Sequence, residues 1–328
     1  MILNDKKIKS LYSENILSNT INAIKLCKIL RNKEAVVFVK KLIVTHYKKN
    51  FSEYKPMILA TDKALDELIK GQINKTSIAK LKKSMNLISE YIYTTKNIPK
   101  FFKKYNLYKS SLKPKYYFSI IEKDIVGNKI IDFGTGKGYM SRYLFNQGFN
   151  VISADILDYR ETNKNYIPFI KINYTDEISD KIPLQDTSLL LTVLHHISQK
   201  NIPDTLQELS KITKRLIIIE DIWDSSYIDE NKKLLNNSNN IKEFLKLSAK
   251  TKKDSIELMD FYGNVVTQGL IKMNLPFQFK SVESWKKILH ESGFSVNNVE
   301  FIGLPQISFH GFFQIKIVCD SIKYTKNN

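Results

Sequence analysis

Apolar positions recur along this chain in two rhythms. In residues 1–115 they keep the three-and-four spacing of helices. Ile16, Leu17, Ile21, Ile24, Ile29 and Leu30 mark one helix, and Val37, Val39, Leu42 and Ile43 mark a second. A third begins at Pro56 and runs through Leu65 and Leu68 to Gly71, and Ile78, Leu81, Met85, Leu87, Ile88 and Ile92 mark a fourth. A single glycine precedes residue 127, as a helical domain of four or five helices requires.

From residue 116 onward short apolar runs alternate with amphipathic stretches, the rhythm of a parallel sheet with crossover helices. A helix over 116–125 leads into a strand at 130–133. The next strands are expected at 150–154, 169–172, 186–193 and 215–220, with helices at 138–147 and 202–213 between them. Residues 281–294, SVESWKKILHESGF, read as a capped helix: Ser281 is a good N-cap, Glu283 lies in the first turn and Gly293 ends it. The runs 296–302 and 312–318 then read as an antiparallel pair. The polar, Asn- and Lys-rich segment 225–275 interrupts the rhythm and reads as an insertion or lid.

Three of the eleven glycines lie within five positions, in KIIDFGTGKGYMSRYL, residues 129–144. A strand, a glycine turn and a helix in that order bring backbone close to a nucleotide-like ligand. The spacing is not the G-x-G-x-x-G of dinucleotide folds, because the third glycine comes one residue early, and no Walker loop fits. The pattern is D-x-G-x-G-x-G, from Asp132 through Gly134, Thr135 and Gly136 to Gly138. This resembles the first motif of the class I S-adenosylmethionine (SAM)-dependent methyltransferases. Further on, DTSLLLTV and then Leu194-His195-His196-Ile197 resemble the fourth motif of the type 11 group of that family. The resemblance covers residues 128–224 and extends through the terminal strand pair to residue 320. It departs from the usual pattern at Lys214-Arg215, where a proline-glycine turn is common.

The resemblance implies a fold, a cofactor and a set of contacts. The fold is a Rossmann-like class I methyltransferase sheet with a terminal antiparallel hairpin, preceded by a helical N-terminal domain. The cofactor is SAM. The glycine turn would cradle its amino-acid end above Asp132. Asp155, 19 residues beyond Gly136, would take the ribose hydroxyls, as an acid at the end of a second strand does. Ile156 would pack against the adenine face, Val193 would also contact the cofactor, and Asp176, beside Thr175, would meet the adenine amino group.

Methyl transfer is a displacement at carbon, so the protein mainly aligns the reactants and excludes water. An oxygen or nitrogen acceptor that loses a proton also calls for a base. His195 and His196 follow the fourth strand, at the sheet edge where ligands bind. His196 is placed ahead of His195 as base, because family members often turn the second histidine to the pocket. Asp221 would orient that histidine or hold the acceptor, and His310 is an outlying candidate. The competing reading of the histidines is a structural hydrogen bond that locks the loop. No His/Cys/Asp grouping has metal-site spacing, so no metal is expected.

Charge and cysteine content complete the picture. Of the net +18, residues 1–115 carry +17 (25 Lys and Arg against 8 Asp and Glu) and residues 116–328 carry +1 (26 against 25). A basic domain suits RNA or another anionic partner, and equally a solvated lysine face. The run 98–117, rich in Phe, Tyr and Lys, is open to the same pair of readings: a stacking surface, or aromatics packed on the next domain. Cys27 and Cys319 form no disulfide framework, no secretory leader is evident and no run reaches the length of a membrane span, so the chain reads as cytoplasmic. Two domains are expected: a basic, mostly helical one over 1–115 and a SAM-dependent methyltransferase domain over 116–328. A small-molecule acceptor is the first reading, RNA delivered by the basic domain the second, and an inactive SAM-fold binding subunit the third.

Overall fold

Chain pairing follows from the apolar runs. The segment LIII at 216–219 is solvent-inaccessible on both sheet faces, the signature of a central parallel strand covered by helices on both sides. The computed structural model describes residues 23–50, 107–160, 166–172, 177–235, 239–267, 275–303 and 313–325. Among these, seven strands form one sheet: β1 Lys129–Phe133, β2 Asn150–Asp155, β3 Phe169–Lys171, β4 Gln185–Leu191, β5 Thr213–Ile222, β6 Phe294–Gly303 and β7 Phe313–Ser321. Their order is β3-β2-β1-β4-β5-β7-β6. Strands β1 to β5 are mutually parallel, and β7 runs antiparallel between β5 and β6. This is the Rossmann-like sheet with a reversed terminal pair that the sequence predicts.

The strand order reverses between β1 and β4. Ligands in open α/β sheets lie in the crevice outside the carboxyl ends at such a switch point. One sheet face packs on the helices Lys113–Ile121 and Tyr139–Asn146, with Tyr117, Ile121, Met140 and Leu144 meeting Ile130, Leu189, Ile217 and Ile219. On the other side the helix Ile202–Ile212 buries Leu206 and Leu209, and Val282–Glu291 buries Trp285 and Leu289. Ser281 caps the latter as expected, its Oγ accepting from Ser284 N at 3.2 Å. The helix Ile202–Ile212 passes directly into β5 at Thr213, at the place where the sequence lacks a proline-glycine turn. Arg215 then clamps β5 to β7 through a two-pronged ion pair with Asp320 at 2.7 and 3.0 Å.

The chain divides into two compact units, and the division is not collinear with the sequence. The unit just described comprises the described residues of 108–224, 280–307 and 312–328. The other joins the described residues of 1–107 with 225–279. In it, the helices Ala23–Leu30 and Lys33–Asn50 pack with Ala249–Phe261. Asn32 serves both sides of that junction. Its Oδ1 accepts from Ala35 N, capping the helix Lys33–Asn50, and its Nδ2 donates to Asp254 at 2.8 Å. Lys25 pairs with the buried Glu257 at 2.7 Å, and Lys41 pairs with Glu243. Within the segment 225–275, expected as an insertion or lid, the helix Ala249–Phe261 thus packs with the N-terminal helices. The helices expected from Pro56 and from Ile78, and the run 98–106, lie outside the described residues.

Candidate active site

The glycine turn is stapled to its neighbours by its own backbone. Gly134 N and Thr135 N both donate to Ala154 O, at 2.7 and 3.1 Å, which ties the end of β1 to β2. Beneath it Asp132 is buried, and its Oδ2 accepts from Thr135 Oγ1 at 2.8 Å and Ser141 Oγ at 2.6 Å. Ser153 Oγ donates to Ser141 Oγ at 2.8 Å, so two strands and a helix meet in one hydroxyl–carboxylate cluster. Burial raises the Asp132 pKa, against the lowering effect of these hydrogen bonds.

Asp155 ends β2 facing the turn. Its Oδ2 accepts from Gly136 N at 2.8 Å and its Oδ1 from Ile156 N at 2.7 Å. Burial pushes its pKa up to about 6, with the two backbone N–H donors opposing the rise and Asp132 adding to it. The turn's two faces differ. A Cβ on Gly134 (φ +77°) would lie 2.6 Å from Val193 Cγ2, so the turn after β1 is wedged against the one after β4. A Cβ on Gly136 (φ +53°) would meet no protein atom within 4 Å.

Strand β4 ends abruptly at Thr192, a β-branched residue at φ 61° whose N–H donates to Ile219 O at 2.7 Å. Such residues seldom adopt the left-handed region unless the surroundings impose it, and strain of this kind gathers at functional sites. One turn of 3-10 helix, Leu194–His196, follows. Glu220, fully buried near the end of β5, gathers this turn: its Oε1 accepts from Val193 N at 2.9 Å and Leu194 N at 2.7 Å, and its Oε2 lies 2.6 Å from His195 Nδ1. The two imidazoles are buried with centroids 4.0 Å apart.

The next residue, Asp221, faces a different set of partners. Gln314 on β7 donates from Nε2 to Asp221 Oδ1 at 2.7 Å and lies 3.2 Å from the Tyr117 hydroxyl. Burial raises the Asp221 pKa to about 6, opposed by the nearby His195, Gln314 and Lys113 and reinforced by Glu220. Burial likewise lowers Lys109 well below the usual ammonium value, helped by the charges of Lys113 and Lys137.

Several expected residues are therefore brought together. Asp132, Thr135, Gly136, Asp155 and Ile156 share one hydrogen-bonded turn, Gly134 abuts Val193, and Gly138 closes the turn through a hydrogen bond to Thr135 O. His195, His196 and Asp221 lie at the carboxyl edge beside it. His195 Nδ1 meets the Glu220 carboxylate, while Asp221 accepts from Gln314. Asp176 and His310 lie outside the described residues. The sequence assigns no role to Glu220, Gln314 or Ser141, and leaves Tyr117 in an aromatic run open to two readings. For Glu220 there was one signal, a carboxylate placed directly after the apolar run LIII, where burial demands partners.

A family model described as "Methyltransferase domain" matches residues 106–299. No curated protein matches the chain in sequence. Among solved structures, the chain is similar to the pyocyanin biosynthetic protein PhzM, at 12% identity over 83% of this chain and 74% of that one, with a TM-score of 0.47. It is similar to a SAM dependent methyltransferase from Archaeoglobus fulgidus, at 16% identity over 66% and 99% of the two chains, TM-score 0.41. The magnesium protoporphyrin IX methyltransferase ChlM from Synechocystis, with bound S-adenosylhomocysteine, is a third, at 14% identity over 70% and 88%, TM-score 0.39.

Proposed function

The chain belongs to the methyltransferase-domain family and is a SAM-dependent methyltransferase; from that premise we propose that its acceptor is a small molecule methylated on oxygen or nitrogen, with the histidine pair at the end of β4 serving the acceptor. SAM supplies an electrophilic methyl group on sulfonium. The residues of this chain fit it. Asp155 presents a carboxylate at the end of β2 for the ribose hydroxyls, and Gly136 leaves space open where a side chain would otherwise project. Asp132 holds the turn from below, and Ile156 and Val193 border the base.

Burial carries the choice of acceptor. His195, His196 and Asp221 are 3%, 7% and 5% exposed. Groups so enclosed serve an acceptor small enough to be enclosed with them, and enclosure strengthens the electrostatics of proton transfer. Of the two rings, His195 is the better base by construction, because a carboxylate already holds its Nδ1.

The test is transfer of labelled methyl from SAM into separated small-molecule, RNA and protein fractions of a cell extract. Label in the small-molecule fraction, lost in His195→Asn, is the expected result. Label confined to RNA or protein overturns the acceptor class.

A further inference from the structure

We propose that Glu220 is a positioning residue: it fixes the His195 tautomer with hydrogen on Nδ1 and the lone pair on Nε2, the atom that accepts the acceptor's proton. The inference rests on the reading of His195 as base and deepens it.

The geometry is selective. Glu220 has no solvent exposure, and burying a carboxylate is costly unless donors surround it. Three do. Two are amide N–H groups, Val193 and Leu194, both on Oε1, and an amide can only donate. The third neighbour is the His195 ring, 2.6 Å from Oε2. A carboxylate that accepts two amide hydrogens on one oxygen is disposed to accept on the other, so Nδ1 carries the hydrogen. In a neutral imidazole the remaining nitrogen, Nε2, is then the acceptor. Locking the loop needs only the two amides; the contact with the ring adds control of where its proton sits.

The proton balance is complete. The acceptor's hydrogen passes to the Nε2 lone pair as the acceptor's own electron pair forms the bond to the methyl carbon. The pair of the broken carbon–sulfur bond stays on sulfur. The imidazolium so formed lies against the Glu220 carboxylate and returns its proton from Nε2 to water.

Glu220→Gln tests this without changing size. The glutamine oxygen would take the two amide hydrogens, leaving its NH2 facing Nδ1. Nδ1 must then accept, and the hydrogen moves to Nε2. Full-length protein carrying isotope-labelled histidine is examined by ring-nitrogen NMR, at a pH where the ring is neutral. With five histidines in the chain, the His195 signals are identified by their loss in His195→Asn. The expected result is an Nδ1–H tautomer in the wild type and an Nε2–H tautomer in Glu220→Gln. SAM affinity by calorimetry should stay within about threefold, with transfer in the extract assay falling about 100-fold or more, the usual range of a general base. A wild-type ring in the Nε2–H form, or the same tautomer in both proteins, overturns the proposal. Should Glu220→Gln fail to fold, the wild-type spectrum still decides. If the tautomer switches as expected but His195→Asn retains transfer, Glu220 keeps its positioning role and the reading of His195 as base fails.

Discussion

The two sides of the glycine turn respond differently to the same added methyl group. In Gly136→Ala the new Cβ meets no protein atom within 4 Å. Its stability cost is only that of holding alanine at φ +53°, about 1–2 kcal/mol. In Gly134→Ala that cost recurs at φ +77°, and the Cβ also lies 2.6 and 2.7 Å from the two Val193 methyls. Rotating Val193 exchanges one methyl for the other, so the overlap persists and adds about 1–3 kcal/mol of overpacking. Gly134→Ala is thus the more destabilised protein by urea titration. For SAM the order reverses in meaning. The open space at Gly136 is where ligand backbone contact is expected, and losing about 3 kcal/mol there weakens binding roughly 100-fold. Calorimetry of Gly136→Ala against the wild type measures it. A Gly136→Ala protein that is folded and binds SAM within threefold of the wild type refutes the placement of the ligand at this turn.

Three further outcomes follow from named groups. Asp155 must be ionised to accept ribose hydroxyls, and its pKa of about 6 makes SAM affinity rise with pH through that value; calorimetry should find it roughly tenfold weaker at about pH 5 than at about pH 8, and Asp155→Asn should be weaker and flat. Asp221 has a folded pKa raised to about 6, so its stabilising proton is fully held below the unfolded value and lost as pH rises through about 6, a change of about 3 kcal/mol; Asp221→Asn should lack that slope in denaturant titrations across the range, and parallel profiles would sink the assignment. Ser141→Ala strips Asp132 and Ser153 of a shared partner and should lower stability by about 1–3 kcal/mol, read as a shift in the urea midpoint.

The sheet was legible because its cause is local. Runs such as LIII at 216–219 are short, rich in β-branched residues and apolar on both faces, and the pattern alone gives strand and burial, while the sheet's architecture came with the family resemblance. Strand ends were less so: β5 extends from Thr213 to Ile222, past the expected 215–220, because β7 pairs with it as far as Ile222. The partnership of 225–279 with the N-terminal helices was hidden for the same reason. Asn32 meets Thr251 and Asp254 across more than two hundred residues, and no local periodicity encodes that. Tyr117 sat within a run of aromatics open to two readings; in the fold its ring is core and its hydroxyl meets Gln314. At the site, the acid and glycine spacing found the turn, but the division of labour between Glu220 and Asp221 depends on register.

That register explains how adjacent acids in one buried strand escape competing for the same partners. Successive side chains of a strand point to opposite faces. Asp221 lies directly across from Gln314 in the β5–β7 ladder, on the face where Tyr117 stands. Glu220 turns the other way, to the backbone of the loop that β4 releases at Thr192. Glu220 thereby becomes a fixed acceptor with three donors, while Asp221 is left to change charge near pH 6. Because Asp221 feels the His195 charge, a pH–rate profile of the wild type carries the Asp221 transition near pH 6 as well as any change at the ring. Removing the Asp221 charge with Asn, and leaving Glu220 in place, is the substitution that isolates the ring. A profile unchanged by Asp221→Asn would mean that the acid does not communicate with the base, and the proximity of the two groups would carry no consequence for proton transfer.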